Sequence, residues 1–254
     1  MAQRLLMNMD QMDIARSIPL FAGLSIQERE IFLQGGGVFS YPCKKSLFHT
    51  GDRVNFIYIL CSGTVQEFRE TLDGHEVTFN IYKAGDMFCK TELFLEDSPH
   101  LTSARAADEV HVLELPIGPF KENLQKYAPV RNHLILSLAQ LAAMKQVEVE
   151  QQITLTSTEI LATFLRQLCS TYGLDPRGFT LPYKKSLLAS RLGMELETLS
   201  RALPKLKAHG IQVKGPHVCF LDSLSSAPNV VKLFPSPANM RRWTNGDKSY
   251  GSSM

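Results

Sequence analysis

The feature that most constrains this 254-residue chain is the stretch KKSLLASRLGMELETLSRALPKLKAHG at residues 184–210. A helix-turn-helix needs a small residue where its two helices touch, a glycine in the turn, and apolar residues that lock the helices together. Ala189 fits the small position and Gly193 fits the turn. The locking positions are all apolar, namely Leu188, Leu192, Met194, Leu199 and Ala202. The pattern therefore predicts a helix-turn-helix, with an ordinary helical hairpin as the alternative.

The second helix of this motif is expected to run from about Glu195 towards Gly210, which would end it. Its early polar side chains would face outward, where they suit the reading of base edges in a major groove. Arginine can donate two hydrogen bonds to guanine, and glutamate can accept one from a cytosine amino group. The predicted DNA contacts are Glu197, Thr198, Ser200, Arg201 and Lys185. The alternative for Glu197 and Arg201 is a surface ion pair one helical turn apart.

The charge distribution agrees with a nucleic-acid-binding C-terminal part. Residues 156–226 carry 9 Lys and Arg against 5 Asp and Glu, whereas residues 1–127 carry 12 against 17. A basic domain attracts phosphate, although a solvated charged surface would give similar numbers. Within the basic part, QVKGPHVCFLD at 212–222 predicts two short strands around a Gly-Pro turn, a wing that can approach phosphates.

In the N-terminal half, the spacing of apolar residues is typical of short strands separated by turns. Short β-rich runs, such as NFIYILC, EVTFNIY and VHVLEL, alternate with turn signals at intervals of about 11 residues. The turn signals are Gly51-Asp52, Ser62-Gly63, Asp73-Gly74 and Gly85-Asp86. This spacing predicts an antiparallel barrel or roll. It is preceded by a helical lead-in at 13–34 that contains a capping box at Ser25 and Glu28.

A long helix is expected between the two halves, because about 25 residues after Pro129 contain neither Gly nor Pro. Leu134, Leu138 and Leu141 fall on one seam at coiled-coil spacing. These three residues are the predicted dimer contacts. The same seam continues into polar residues, so its register beyond Leu141 is open. Packing of the helix within its own chain is the alternative.

Several function classes are excluded by the sequence. The five cysteines are scattered and form no C-x-x-C pair, which argues against a zinc ribbon or a closely spaced iron–sulfur cluster. No apolar run approaches the roughly 20 residues that span a bilayer, and the first residues lack a secretion signal. We therefore expect a cytoplasmic protein that does not bind membranes. No nucleophile motif is present, so an enzyme is not expected.

The complete pattern is α+β, with an N-terminal double-stranded β-roll, a long dimerisation helix and a C-terminal winged helix-turn-helix. The expected divisions are a sensor at 1–127, the dimerisation helix at 128–155, the DNA-binding domain at 156–226 and a flexible tail at 227–254. Over about residues 15–225 the chain resembles the CRP/FNR superfamily of transcription regulators. Glu197, Ser200 and Arg201 match the Glu-x-x-Ser-Arg pattern of the FNR group. The resemblance implies a homodimer that reads an inverted repeat of TTGA-like half-sites and works with RNA polymerase.

The predicted sensor departs from the cyclic-AMP-binding members of that superfamily. Cys89-Lys90 stands where those members have Gly-Glu, and His100-Leu101 stands where they have Arg-Ser. Because these positions hold the ribose and the cyclic phosphate, cyclic AMP is not expected as the effector. The N-terminal cysteine cluster that holds the FNR iron–sulfur centre is also missing.

The resemblance instead implies haem b between the roll and the long helix, with nitric oxide as the ligand that is sensed. GDMFC at 85–89 is similar to carbon-monoxide-sensing haem regulators, and the DNA-binding half resembles the nitric-oxide-responsive DNR and HcpR group. The candidate haem ligands are Cys89, His100, His133 and Met87. No metal other than haem iron is expected.

Four alternatives remain, two within the regulator class and two outside it. The effector could be a small organic acid, or Cys89 could act as a thiol switch in place of haem. A haem gas carrier or enzyme would not need the helix-turn-helix. A regulatory roll from a kinase or channel would lack the winged domain.

Overall fold

The structure is a computed structural model that describes residues 3–5, 8–74, 76–95, 99–171, 174–181 and 184–221. The chain divides into two compact units, residues 1–139 and residues 140–254. The tail predicted at 227–254 lies outside the described residues.

The N-terminal lead-in consists of two helices, where the sequence predicted one helical segment. Helix α1 spans Met9–Ser17, a 3-10 turn spans Pro19–Phe21, and helix α2 spans Ile26–Leu33. The separation has a local cause, because a residue that precedes proline disfavours helical dihedral angles and Ile18 is extended. The predicted capping box at the start of α2 is confirmed, since the Ser25 hydroxyl accepts from the Glu28 amide while the Glu28 carboxylate accepts from the Ser25 amide.

Among the described residues of the first unit, nine strands form two antiparallel sheets. One sheet has the order β1-β2-β9-β4-β7 and the other has the order β3-β8-β5-β6. The strand bounds are β1 Gln3–Leu5, β2 Gly37–Tyr41, β3 Ser46–Phe48, β4 Phe56–Ser62, β5 Thr64–Glu70, β6 Glu76–Lys83, β7 Met87–Phe88, β8 Ser103–Ala106 and β9 Val110–Pro116. Every pairing between them is antiparallel. The predicted β-roll is therefore confirmed.

The core of this unit lies between the sheets and extends to the helices that follow them. Its largest fully buried side chains include Ile57, Ile59 and Leu113 of the central strands. Helix α3 spans Ile117–Lys126 and contributes Phe120. Strand β6 breaks the apolar-inward pattern, because Val77 and Phe79 are exposed while Thr78 is buried and accepts a hydrogen bond from Gln66 Nε2 at 2.8 Å.

Helix α4 spans Ala128–Thr154, so the predicted long helix is present. The boundary between the two units falls inside this helix. Its first turns belong to the first core, since Val130 and Leu134 are almost fully buried there. Burying one such side chain contributes about 1.5–3 kcal/mol. In the described part of the chain, no helix is both long and apolar enough to cross a membrane.

The second unit is a winged helix-turn-helix. Its elements are α5 Ser157–Thr171, β10 Phe179–Thr180, α6 Lys185–Arg191, α7 Leu196–Lys205, a 3-10 turn at Leu206–His209, β11 Ile211–Lys214 and β12 His217–Phe220. The three strands form a sheet in the order β10-β12-β11, with the predicted Gly-Pro turn between β11 and β12. A separate apolar core holds the unit together and includes Leu161, Leu165, Leu188, Leu199 and Val218.

The second helix of the motif is shorter than the sequence predicts. Helix α7 ends at Lys205 and tightens into a 3-10 turn, directly after Pro204 in its last turn. Proline lacks the amide hydrogen that regular α-helical bonding needs at that point. Gly210 then ends the segment in the left-handed conformation, as expected, with φ of 71°.

Candidate functional site

The contact between α6 and α7 forms as the sequence pattern requires. Ala189 is 3% exposed, and the short side chain lets the two helices approach. Gly193 has φ of 64°, a left-handed conformation that favours glycine. The amide of Met194 donates to the carbonyl of Ala189 at 2.9 Å and closes the turn. The turn and the buried leucines thus fix the orientation of α7 relative to α6.

Helix α7 presents a polar outer side that we name the recognition face: Glu197, Ser200 and Arg201, all exposed. Thr198, predicted with them, is only partly exposed, while Leu199 and Ala202 are buried on the opposite side. Arg201 Nε lies 3.4 Å from the carbonyl oxygen of Glu197. The ion pairs of the described residues do not include Glu197 with Arg201, so the alternative of a surface ion pair is wrong. The Arg201 side chain is exposed, with Nε directed to the Glu197 carbonyl of its own helix.

Basic residues flank the recognition face within the same unit. Lys185, a predicted DNA contact, is the first residue of α6 and is exposed. Lys205 and Lys207, at the end of α7 and just beyond it, are exposed. Lys214 and His217 are exposed on either side of the wing turn. The sequence pattern singled out the wing but not these two side chains; the Lys214 ammonium is of the type that contacts phosphates.

The end of α4 contacts the helix-turn-helix through one ion pair. Arg191, the last residue of α6, donates from Nη2 to Glu148 Oε1 at 2.5 Å, and Lys145 Nζ lies 2.9 Å from Glu148 Oε2. Burial raises the pKa of Glu148, but the two basic partners more than offset it, so the pKa lies below its usual value. Glu148 is therefore ionised at neutral pH and ties α4 to α6.

A second group of polar side chains is buried in the roll. We name Cys89, Glu92 and His100 the Cys89 cluster; each is less than 9% exposed. Cys89 Sγ lies 3.9 Å from His100 Nδ1, and Glu92 Oε1 lies 3.7 Å from the same nitrogen. One donor atom from each residue falls within 4.8 Å of the other two. The cluster thus brings together a thiol, a carboxylate and an imidazole, all of which bind metal ions.

The backbone places Cys89 in an unusual conformation. Cys89 follows β7 and has φ of 62°, in the left-handed region that favours glycine. This conformation costs a non-glycine residue about 1–2 kcal/mol. Burial raises the pKa of the Cys89 thiol well above its usual value, and Glu92 and Glu67 raise it further. Without a cation beside it, the thiol remains protonated.

His100 is held on several sides. Its amide donates to Asp52 O at 2.8 Å, and its carbonyl accepts from the Gly51 amide at 2.8 Å. The Phe48 ring stacks on the imidazole, with ring centroids 3.7 Å apart and an interplanar angle of 11°. These contacts fix the direction in which the imidazole nitrogen points.

The structure brings together only two of the four predicted haem ligands, Cys89 and His100. Met87 is buried in β7, and His133 lies on α4. Among the described Cys, His, Asp and Glu residues, His133 is not part of the cluster. Its Nδ1 is buried and has no hydrogen-bond partner among the described residues. Glu92 was missed from the sequence, because it follows the polar Lys90 and Thr91 and nothing local marks it as buried.

A cavity of about 460 Å³ lies beside His100. Its lining includes Tyr41, Phe48, Asp52, Tyr58, His100 and Glu114. Tyr41 donates a short hydrogen bond to Glu114 in its wall. A small molecule in this cavity can therefore reach His100 and, through it, the Cys89 cluster.

The predicted dimer contacts on α4 need a correction. Leu134 is fully buried in the core of its own chain, so its assignment to a dimer seam is wrong. Leu138 and Leu141 are partly buried. A different row is exposed along the helix, at alternating spacings of four and three residues. We name it the exposed stripe: Ile135, Ala139, Ala142, Gln146, Val149 and Ile153.

Comparisons with known protein families divide the chain in the same way as the fold. Residues 38–127 match the cyclic nucleotide-binding domain family, and residues 159–223 match the Crp-like helix-turn-helix domain family. A solved structure of a cAMP-binding regulatory protein from Silicibacter pomeroyi is similar over 94% of this chain and 100% of its own, with 27% identity and a TM-score of 0.55.

Two curated relatives cover most of the chain. The Cyclic AMP receptor protein of Thermus thermophilus is 31% identical over 209 residues, which are 78% of this chain and 89% of that protein. The Anaerobic regulatory protein of Haemophilus influenzae is 26% identical over 187 residues, which are 71% of this chain and 72% of that protein. These relatives are regulators and not enzymes. The chain belongs to the CRP/FNR family of DNA-binding transcription regulators.

Proposed function

We propose that this regulator is a homodimer that binds an inverted DNA repeat of TTGA-like half-sites through the recognition face. The observation that carries the proposal is the exposure of Glu197, Ser200 and Arg201 on one side of a helix whose other side is buried. These side chains supply the acceptors and bidentate donor that base edges in the major groove require. Lys185 and the wing add phosphate contacts, which position the protein without reading sequence.

The exposed stripe supports dimerisation through α4. Alternation of four and three residues keeps a row facing one partner helix in a left-handed coiled coil. The row is apolar except for Gln146, and Ala139 and Ala142 at its middle let two helices approach closely. The predicted seam is therefore moved by one residue, from Leu138 and Leu141 to the exposed stripe. A homodimer also matches the twofold symmetry of an inverted repeat.

Contacts at both ends of α4 support a route for regulation. Val130 and Leu134 pack in the sensor core, and Glu148 pairs with Arg191 of the helix-turn-helix. A ligand that favours one packing of the sensor core would shift α4, and with it the recognition face. In this proposal residues 1–127 sense, residues 128–155 dimerise and residues 156–226 bind DNA.

Cyclic AMP does not suit the sensor in this proposal. By the resemblance, Lys90 stands where the cyclic-AMP-binding members have the glutamate that holds the ribose, and His100 stands where they have the arginine that holds the phosphate. The acidic Glu92 lies 3.7 Å from His100, so the nearby charge repels a cyclic phosphate. Cys89, Glu92 and His100 together suit a cation better than an anion.

Haem b, and nitric oxide as its ligand, were expected from the resemblance, but the packing does not accept a porphyrin at the Cys89 cluster. Phe48, Cys89 and Glu92 lie between 3.7 and 3.9 Å from the imidazole of His100. A macrocycle bound to His100 or Cys89 would have to pass through these side chains. We therefore propose no haem at the Cys89 cluster; the other two predicted ligands, Met87 and His133, lie outside this cluster, and its packing does not test them.

The experiment is fluorescence anisotropy with the full chain and a duplex carrying two TTGA half-sites one DNA turn apart. We expect Arg201→Ala to weaken specific binding by about 1–3 kcal/mol, or roughly 10- to 100-fold, with little loss on a scrambled duplex. Lys185→Ala is the matched control, since loss of a phosphate contact weakens both duplexes alike and lowers the salt slope by about 1.

Equal binding of the unmodified protein to both duplexes would refute the recognition-face assignment. A bound repeat with an unrelated half-site would retain the DNA-binding function and reject TTGA. RNA polymerase as a partner and a cytoplasmic location belong to the same proposal, since a transcription regulator acts where DNA and polymerase are.

A further inference from the structure

We propose that Cys89, Glu92 and His100 bind one divalent first-row transition metal ion of the zinc type. Three facts carry this inference: the donor atoms converge, all three side chains are more than nine-tenths buried, and one buried nitrogen faces both other donors. Thiolate, imidazole and carboxylate are the ligands that zinc takes in proteins.

The distances fit a small ion. Around a tetrahedral zinc with bonds of about 2.0–2.3 Å, neighbouring ligand atoms lie about 3.3–3.6 Å apart. Glu92 Oε1 and Cys89 Sγ lie 3.7 and 3.9 Å from His100 Nδ1. These separations are too long for strong hydrogen bonds between the oxygen and nitrogen atoms, and side-chain shifts of a few tenths of an ångström would close them around a metal.

The charges also favour a cation. Among the described residues, the salt bridges of Lys and Arg do not include Glu92, whose basic neighbour within 4 Å is the His100 imidazole. Glu67 is a second carboxylate that acts on Cys89, and its oxygens already accept from Thr102, Asn80 and Tyr82. A buried anionic group requires a compensating charge. A divalent ion supplies it when the Cys89 thiol releases its proton to solvent on binding.

The arrangement leaves coordination space. Three protein ligands are typical of zinc sites whose fourth position takes water or a small molecule. Of the three ligands, His100 also lines the cavity of about 460 Å³. The ligands are also preorganised, because the Phe48 stack and two backbone hydrogen bonds hold His100. The Cys89 cluster is thus a metal site in the sensor, and its existence is independent of which DNA the protein binds.

The test uses the full chain, stripped with a chelator and titrated with Co²⁺ in the absence of DNA. We expect one Co²⁺ per chain, with the sulfur-to-cobalt charge-transfer absorption and strong visible bands of a tetrahedral site, and displacement by Zn²⁺. Glu92→Gln and His100→Gln should each weaken binding by about 10- to 100-fold or more, since even the loss of a residue that only supports a ligand has that effect.

Two further variants keep the test decisive. Cys89→Gly removes the thiol but suits the left-handed backbone at this position, so it should fold and lose the charge-transfer band. Cys61→Ala removes another buried thiol of the same core and should bind Co²⁺ unchanged. Absence of the band in the unmodified protein, or its persistence in Cys89→Gly, would overturn the proposal. A hemin complex whose Soret band depends on Cys89 or His100, without Co²⁺ binding, would also overturn it and restore haem.

Discussion

Cys89 Sγ lies 3.9 Å from Nδ1 of His100, although the two residues are 11 positions apart and belong to different segments of the roll. The relationship depends on the left-handed turn at Cys89 and on the backbone hydrogen bonds that attach His100 to the Gly51-Asp52 turn. Backbone geometry in two separate segments thus brings a buried thiol and a buried imidazole together.

The backbone at Cys89 predicts an unusual order of stability. In ordinary positions glycine is less stable than alanine by about 0.5–1 kcal/mol, because it loses more conformational freedom on folding. At Cys89, alanine retains the left-handed strain of about 1–2 kcal/mol and glycine does not. We expect Cys89→Gly to be at least as stable as Cys89→Ala in chelator-treated protein, measured by urea denaturation. A clearly more stable alanine variant would show that Cys89 is not left-handed in solution.

The two cores and the two motifs could be predicted from the sequence because they follow local rules. Gly193 and Ala189 mark the helix-turn-helix, and glycine turns at regular intervals mark the antiparallel roll. The recognition face follows from helix periodicity once Leu199 and Ala202 are assigned to the core. Each of these features is determined by residues close in sequence.

Other features depend on tertiary packing, which local patterns do not encode. The sequence pattern assigns Leu134 to a dimer seam, but in the fold Leu134 is buried in the sensor core. The residues exposed on α4 are those of the exposed stripe, which begins one position later at Ile135. Glu92 resembles a solvated surface acid, yet the fold buries it beside His100. Thr78 takes an inward position on β6 because Gln66 provides a buried hydrogen-bond partner.

The turn at Gly63 should be among those in the roll where an added side chain destabilises the fold most. Gly63 has φ of 82°, and a Cβ there would lie 2.4 Å from the carbonyl oxygen of Glu109. Gly74 is a matched control, since its φ is 78° and no atom lies within 4 Å of its Cβ position. We expect Gly74→Ala to cost about 1–2 kcal/mol and Gly63→Ala about 2–5 kcal/mol, in thermal or urea unfolding. Equal losses would mean that the backbone near Glu109 moves away freely.

The Glu148–Arg191 pair predicts a pH-dependent contribution to stability. The pKa of Glu148 is below its unfolded value of 4.5, so its contribution is present above about pH 4.5 and is lost as the pH falls through the folded pKa. Glu148→Gln leaves the mostly buried Arg191 without its charged partner and should cost about 1–3 kcal/mol at neutral pH. The difference in unfolding free energy between the two proteins should shrink as the pH falls below about 4.5 and through the folded pKa.

The control for that series is Glu150→Gln, the same chemical change at an exposed position of α4. Its effect should stay within about 0.5 kcal/mol at every pH, as for other exposed substitutions. A loss at Glu148 that does not change with pH would assign the effect to packing and not to charge.

The exposed stripe predicts which substitutions separate the dimer. Val149→Glu places a charge on the stripe, where two helices would bury it without a partner at a cost of several kcal/mol. Gln151→Glu adds the same charge on the opposite side of α4. We expect analytical ultracentrifugation to show the dimer dissociation constant raised by about 100-fold or more for Val149→Glu and nearly unchanged for Gln151→Glu. If Gln151→Glu dissociates the dimer and Val149→Glu does not, the seam lies on the other side of the helix.

Because only a dimer spans two half-sites, Val149→Glu should also lose binding to the inverted repeat while it retains weak binding to a single half-site.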